Sequence, residues 1–99
     1  MPLGSRENDV MDRLWSSGPS TVAEVRLALG VGLAYTTVLT ILRNLEAKGV
    51  VGRFGEGRAH RYFPRLSQHE TREVAVKRLL ERFFSGNPRL LLKYLSDTH

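Results

Sequence analysis

"LAYTTVLTILRNLEAKGVV", Leu33 to Val51, holds a helix, its stop and the start of a strand within nineteen residues. With 100° allotted to each residue and Thr36 set at zero, Val38, Ile41, Leu42 and Leu45 fall between about 140° and 240°. That is a compact core-facing arc. The opposite side carries Thr36, Thr40, Arg43 and Ala47, with Thr37 and Asn44 at its flank. An ordinary solvated helix would carry glutamates and lysines there. The pattern predicts a helix over about Ala34 to Lys48, ended by Gly49 as a C′ glycine, with Lys48 suiting the negative end of the helix dipole.

Working outward toward the N-terminus, "GVGL" makes a short turn behind Gly30, and Gly30 stops an earlier helix. That helix opens at "STVAEV", where Thr21 and Glu24 have capping-box spacing, and Val22, Val25 and Leu29 form its buried stripe. Before it, "SSGPS" breaks the chain at Gly18 and Pro19. The first helix is expected over about Arg6 to Ser16 with Ser5 as its N-cap, and Val10, Met11, Leu14 and Trp15 share one face. Trp15 at helical spacing from Met11 reads as core. Two helices joined by a tight glycine-containing turn make a helix-turn-helix.

On the C-terminal side, Val50, Val51 and Phe54 predict one strand, and Ala59, Arg61, Tyr62 and Phe63 a second. "GEG" (Gly55 to Gly57) turns between them and Pro64 closes the hairpin. Three helices followed by a hairpin read as a winged helix-turn-helix. Beyond it, Ser67 and Glu70 form another capping-box pattern. Val76, Leu79, Leu80, Phe83 and Phe84 make a broad apolar stripe, interrupted by "SGNP". Asn87 can cap a last helix with Pro88 at its first position, running through Leu90, Leu91, Leu92 and Leu95. A tail so rich in Leu and Phe calls for a partner.

The 99-residue chain is 41% apolar and 25% charged, an ordinary globular balance. It contains no cysteine, which excludes disulfide scaffolds, thiolate metal sites and cysteine nucleophiles. The polar N-terminus lacks an apolar h-region, and no run approaches the roughly 18 apolar residues of a membrane span. "PLGS" runs into the helical pattern without a break and is read as native. A cytoplasmic protein with no membrane partner is expected. Net charge is +5 and the isoelectric point about 10.2, which points to a polyanionic partner.

The threonine face supplies the chemistry such a partner needs. Short hydroxyls and methyls fit the DNA major groove, where carboxylates would meet phosphate and base acceptors unfavourably. Thr36 and Thr37 lie in the first turn, where backbone N–H groups and the dipole favour a phosphate. Tyr35, Thr36, Thr37, Thr40 and Arg43 are therefore the candidate helix contacts. The hairpin sets Arg53, Arg58, Arg61 and Arg65 against Glu56, with His60 among them. Arg58 at the turn is the leading wing contact to phosphate. Arg61, opposite in face to Tyr62, belongs either to DNA or to the sheet surface; a solvated edge hairpin would also be charged. The glycines of "GRFGEG" do not follow the dinucleotide-binding order, and no helix follows them. His60, His69 and His99 lack metal-ligand spacing, so no metal and no cofactor are expected. No nucleophile–base set stands out, which argues against an enzyme.

"DVMDRLW" (Asp9–Trp15), "TVAEV" (Thr21–Val25), "AYTTVLTILRNLEAKGVV" and "GRAHRYFP" (Gly57–Pro64) together resemble the BlaI/MecI/CopY family of penicillinase-type repressors, over roughly residues 3 to 95. The resemblance implies a dimeric transcriptional repressor binding a dyad-symmetric operator in double-stranded DNA through the threonine helix. It assigns Thr36, Thr37 and Thr40 to operator-contacting positions, whereas Leu39 and Arg43 lie where members vary. It also implies homodimerisation through the C-terminal helices, making Val76, Leu79, Leu80, Phe83, Phe84, Leu91, Leu92 and Leu95 the dimerisation residues. The fold class expected is mainly α with a small β-hairpin: a winged helix-turn-helix domain over residues 1–65 and a helical dimerisation region over 66–99. Thiolate copper sensing, used in one branch, is excluded by the absence of cysteine. Another branch is cleaved at an Asn-Phe bond, where this chain has Lys93-Tyr94. An upstream sensor or protease is left open. Relatives usually continue into one more helix beyond the position of His99. The alternative from another class is a winged-helix protein-interaction module without specific DNA binding.

Overall fold

The computed structural model describes residues 3–30, 32–55 and 60–99. Seven elements follow in order: α1 (Ser5–Ser17), α2 (Val22–Leu29), α3 (Tyr35–Ala47), β1 (Val51–Phe54), β2 (Arg61–Pro64), α4 (Gln68–Phe83) and α5 (Pro88–Thr98). They form two compact units, residues 1–67 and 68–99.

In the first unit, Val10, Met11 and Leu14 of α1 meet Val22 and Val25 of α2 and Val38, Leu42 and Leu45 of α3 in one core. Val51 of β1 and Tyr62 of β2 close it, and Tyr62 is 1% exposed. Burying such side chains stabilises by about 1.5–3 kcal/mol each relative to leaving them in water. Ile41 and Leu29 pack at the core's margin and are only partly buried.

Helix ends follow the local chemistry. In α2, the Thr21 hydroxyl accepts from the Glu24 N–H at 3.1 Å, and the Glu24 carboxylate accepts from the Thr21 N–H at 2.9 Å, so the expected capping box is present. At α1 the boundary differs from expectation: Ser5 is already helical and Gly4 is the cap. Glu7 Oε1 accepts from the Gly4 N–H at 3.0 Å, the carboxylate half of a capping box. The same oxygen is 2.6 Å from Lys48 Nζ, which ties the start of α1 to the end of α3.

Gly49, with φ of 79°, ends α3 in the left-handed conformation. Its N–H donates to the Glu46 carbonyl and that of Val50 to the Leu45 carbonyl, the paired bonds of a Schellman ending. The chain turns at once into β1, which pairs antiparallel with β2 in the register Val51↔Pro64, Gly52↔Phe63, Arg53↔Tyr62, Phe54↔Arg61. The second strand therefore begins at Arg61 and includes Pro64. The expected turn residues Glu56 and Gly57, with Arg58 and Ala59, lie outside the described residues. Sequence periodicity gave no sign of one further pairing. Ser20, between α1 and α2, exchanges two backbone bonds with Tyr62, at 3.0 and 2.8 Å, and acts as a one-residue third strand.

Helices α4 and α5 make up the second unit. Asn87 caps α5 by accepting from the Arg89 N–H at 2.9 Å, with Pro88 at the first helical position as expected. Between the helices, Gly86 N–H and Phe84 N–H both reach the Leu80 carbonyl, and the Phe84 and Tyr94 rings pack with centroids 5.8 Å apart. Neither helix contains a buried residue.

Candidate nucleic-acid interface

Helix α3 turns Val38, Leu42 and Leu45 inward, which leaves Tyr35, Thr36, Thr37, Thr40, Arg43, Asn44 and Ala47 exposed. This exposed face carries no carboxylate. Glu46 lies to its side, 3.1 Å from Arg53 of β1. The Thr40 hydroxyl donates to the Thr36 carbonyl at 2.9 Å, so its proton is already used within the helix. Its methyl group and oxygen lone pairs remain for a ligand. At α2 and α5 a side chain, Thr21 or Asn87, accepts from a first-turn N–H, whereas Ala34 supplies no such acceptor, so the first-turn N–H groups of α3 stay open toward an anion.

A cleft of about 240 Å³ separates α3 from the hairpin. Tyr35, Leu39 and Arg43 line it from α3, Arg53, His60 and Tyr62 from the wing, and Val22 from α2. Three basic side chains thus border one cleft. Arg53 and His60 were read from sequence only as members of the basic hairpin; their place beside Arg43 depends on the packing of the hairpin against α3. Tyr35, 44% exposed, sits at the mouth of the cleft and the head of the helix.

The hairpin arginines separate by environment. Arg58 lies outside the described residues. Arg61 is engaged by the protein itself: Nη1 is 2.7 Å from Glu24 Oε1 and 3.4 Å from the Pro19 carbonyl. The Glu24 carboxyl is held below its ordinary 4.5, first by the Thr21 N–H and further by the Thr21 hydroxyl and the Arg61 charge, against a smaller opposing effect of desolvation. Glu7 is lowered as well, first by its hydrogen bond to Lys48 and then by the Gly4 N–H. Among the described residues, no group of His, Asp and Glu side chains is arranged to hold a metal ion.

In the second unit, Val76, Leu79, Phe83, Leu92 and Leu95 stand 40–65% exposed. Val74, Leu90 and Tyr94 join them at similar exposure. Leu80, Phe84 and Leu91 are half-buried. The Lys93-Tyr94 bond lies inside α5, with Tyr94 packed on Phe84.

Three helices with a core-packed hairpin beside the third, and a carboxylate-free outer face on that helix, define a winged-helix protein. Solved structures with this fold include a MarR family protein from Bacillus stearothermophilus, matched over 100% of this chain and 74% of that one at TM-score 0.59 and 20% identity. A transcriptional regulator from Thermotoga maritima matches 95% of this chain and 72% of that one, at TM-score 0.56 and 20% identity. Sequence narrows the class. The penicillinase repressor family model matches residues 3–99, and the chain belongs to that family. The transcriptional regulator BlaI of Mycobacterium tuberculosis is 49% identical over 65 residues, which are 63% of this chain and 47% of that protein. The chain thus spans about half the length of the curated relatives it matches.

Proposed function

We propose that this protein is a sequence-specific transcriptional repressor that binds a dyad-symmetric operator in double-stranded DNA as a homodimer. The observation that carries the reading is the outer face of α3, where Thr36, Thr37, Thr40 and Arg43 stand exposed with no carboxylate among them. In a major groove, Thr36, Thr37 and Thr40 meet base edges and thymine methyls, and Arg43 meets guanine or phosphate. The open first turn of α3 receives a backbone phosphate. Tyr35, Arg43 and His60 flank the strand that passes between helix and wing, with Arg53 held beside them by Glu46, and Arg58 extends the wing contact. The charge of +5 supplies the sequence-independent attraction.

The apolar faces of α4 and α5 support the dimer. Leu79, Phe83, Leu92 and Leu95 are costly to leave in water, and a twofold partner covers them with the same residues. Two α3 helices then enter successive major grooves about 10 bp apart, or a small multiple of that. Repression follows from occlusion of polymerase at the promoter.

The deciding experiment is selection of genomic fragments by the purified protein at about 0.15 M salt, where non-specific binding is weak. Enrichment of a few promoter fragments sharing an inverted repeat is the expected result. Featureless binding, or none, would overturn the proposal and leave α3 as a protein-contact surface.

A further inference from the structure

We infer that Arg61 and Glu24 form a clamp that sets the wing against the helix-turn-helix, so that Arg61 is a positioning residue and not a DNA contact. The inference rests on the DNA-binding reading above for its consequence, though not for its geometry.

Glu24 is a prepared partner. Its carboxylate is already fixed by the Thr21 N–H at 2.9 Å before Arg61 arrives at 2.7 Å on the same oxygen. Pairing with a carboxylate held in place by its own helix cap loses less side-chain freedom than pairing two mobile groups. The residue next to Arg61 is Tyr62, whose ring is in the core and whose backbone exchanges two bonds with Ser20. The clamp therefore closes where β2 is sewn to the α1–α2 connection. On the other strand, Arg53 lies directly across from Tyr62 and reaches Glu46 of α3 at 3.1 Å. The root of the hairpin is thus held to α2 from one strand and to α3 from the other. A phosphate approaching Arg61 would meet a guanidinium whose charge is already shared with Glu24.

Each pair is partly exposed, with side-chain exposures of 43% and 55% for Arg61 and Glu24, so the direct stabilisation is small. Its effect is on the angle of the wing, to which every contact beyond Phe54 is sensitive. The test uses Arg61→Met, Glu24→Gln and the double variant, with glutamine chosen because it preserves the capping box. In free protein, each single variant should speed amide exchange at Ser20 and Tyr62 alike, and the double variant no more than either. On selected fragments, each should weaken binding about two- to fivefold with an unchanged salt slope. A slope flattened by about one unit in Arg61→Met, with tighter binding in Glu24→Gln, would make Arg61 a phosphate contact and overturn the clamp. Unaltered exchange in all variants would overturn it as well. If the unsubstituted protein selects no DNA, the DNA-binding reading fails, and amide exchange alone still decides whether the clamp exists.

Discussion

Thr40 shows how little of a side chain's function its name settles. Its hydroxyl proton is spent on the Thr36 carbonyl, which leaves a methyl group as the feature most available to a base. Thr40→Val should therefore bind selected fragments nearly as well as the unsubstituted protein, while Thr40→Ala should lose about 1 kcal/mol or more. Titrations on selected and random DNA separate these outcomes; equal losses on both would remove Thr40 from base readout. The other residue with a sharp expectation is Glu7. Its folded pKa is depressed, so its contribution to stability is complete above the ordinary 4.5 and is lost as pH falls below it. Thermal unfolding of Glu7→Gln should converge on that of the unsubstituted protein toward acid pH. At neutral pH, Lys48→Met should be the more damaging change, by about 1–2 kcal/mol, because it strands a carboxylate only 14% exposed.

At the scale of elements, α3 was legible because everything that specifies it is local. Its apolar period and its Gly49 ending lie within Leu33–Val51, and the structure returns both. The Thr21–Glu24 capping box and the Asn87-Pro88 start were legible for the same reason. What stayed hidden was how elements are tied together. Glu7–Lys48, Glu24–Arg61 and Ser20–Tyr62 each join residues about forty positions apart, and an exposed glutamate bound for a distant arginine looks like any solvated glutamate. Arg61 was left between DNA and sheet surface on this account. The wing has a further element-level constraint in Gly52. A Cβ there would lie 2.6 Å from the Phe63 ring, its cross-strand partner. Gly52→Ala should force that ring aside, disturb its packing on Phe54, and lower thermal stability by about 1 kcal/mol. Unchanged melting and unchanged Phe63 chemical shifts would show that the ring is not held there.

For the whole molecule, the informative contrast is between a unit that buries its own core and one in which no residue of either helix is buried. If α4 and α5 complete themselves on a second copy, charge placed on that surface should act on assembly before it acts on the winged unit. Leu79→Asp with Phe83→Asp should convert a dimer to a monomer in sedimentation. It should cost far more affinity on an inverted repeat than on an isolated half-site. A dimer that survives both substitutions would place its interface elsewhere. The exposed apolar surface of α4 and α5 was partly legible as a stripe of Leu and Phe, but sequence could not separate Leu80, Phe84 and Leu91, half-buried within the unit, from neighbours left in solvent.

The lone tryptophan gives the first unit an optical voice of its own. Trp15 donates its indole N–H to the Leu66 carbonyl at 2.9 Å, fastening the last residues before α4 to the back of α1. Emission excited selectively from the indole therefore comes from a single side chain, hydrogen-bonded to the segment that precedes α4. Any event that breaks the Trp15–Leu66 bond is transcribed into colour without a label.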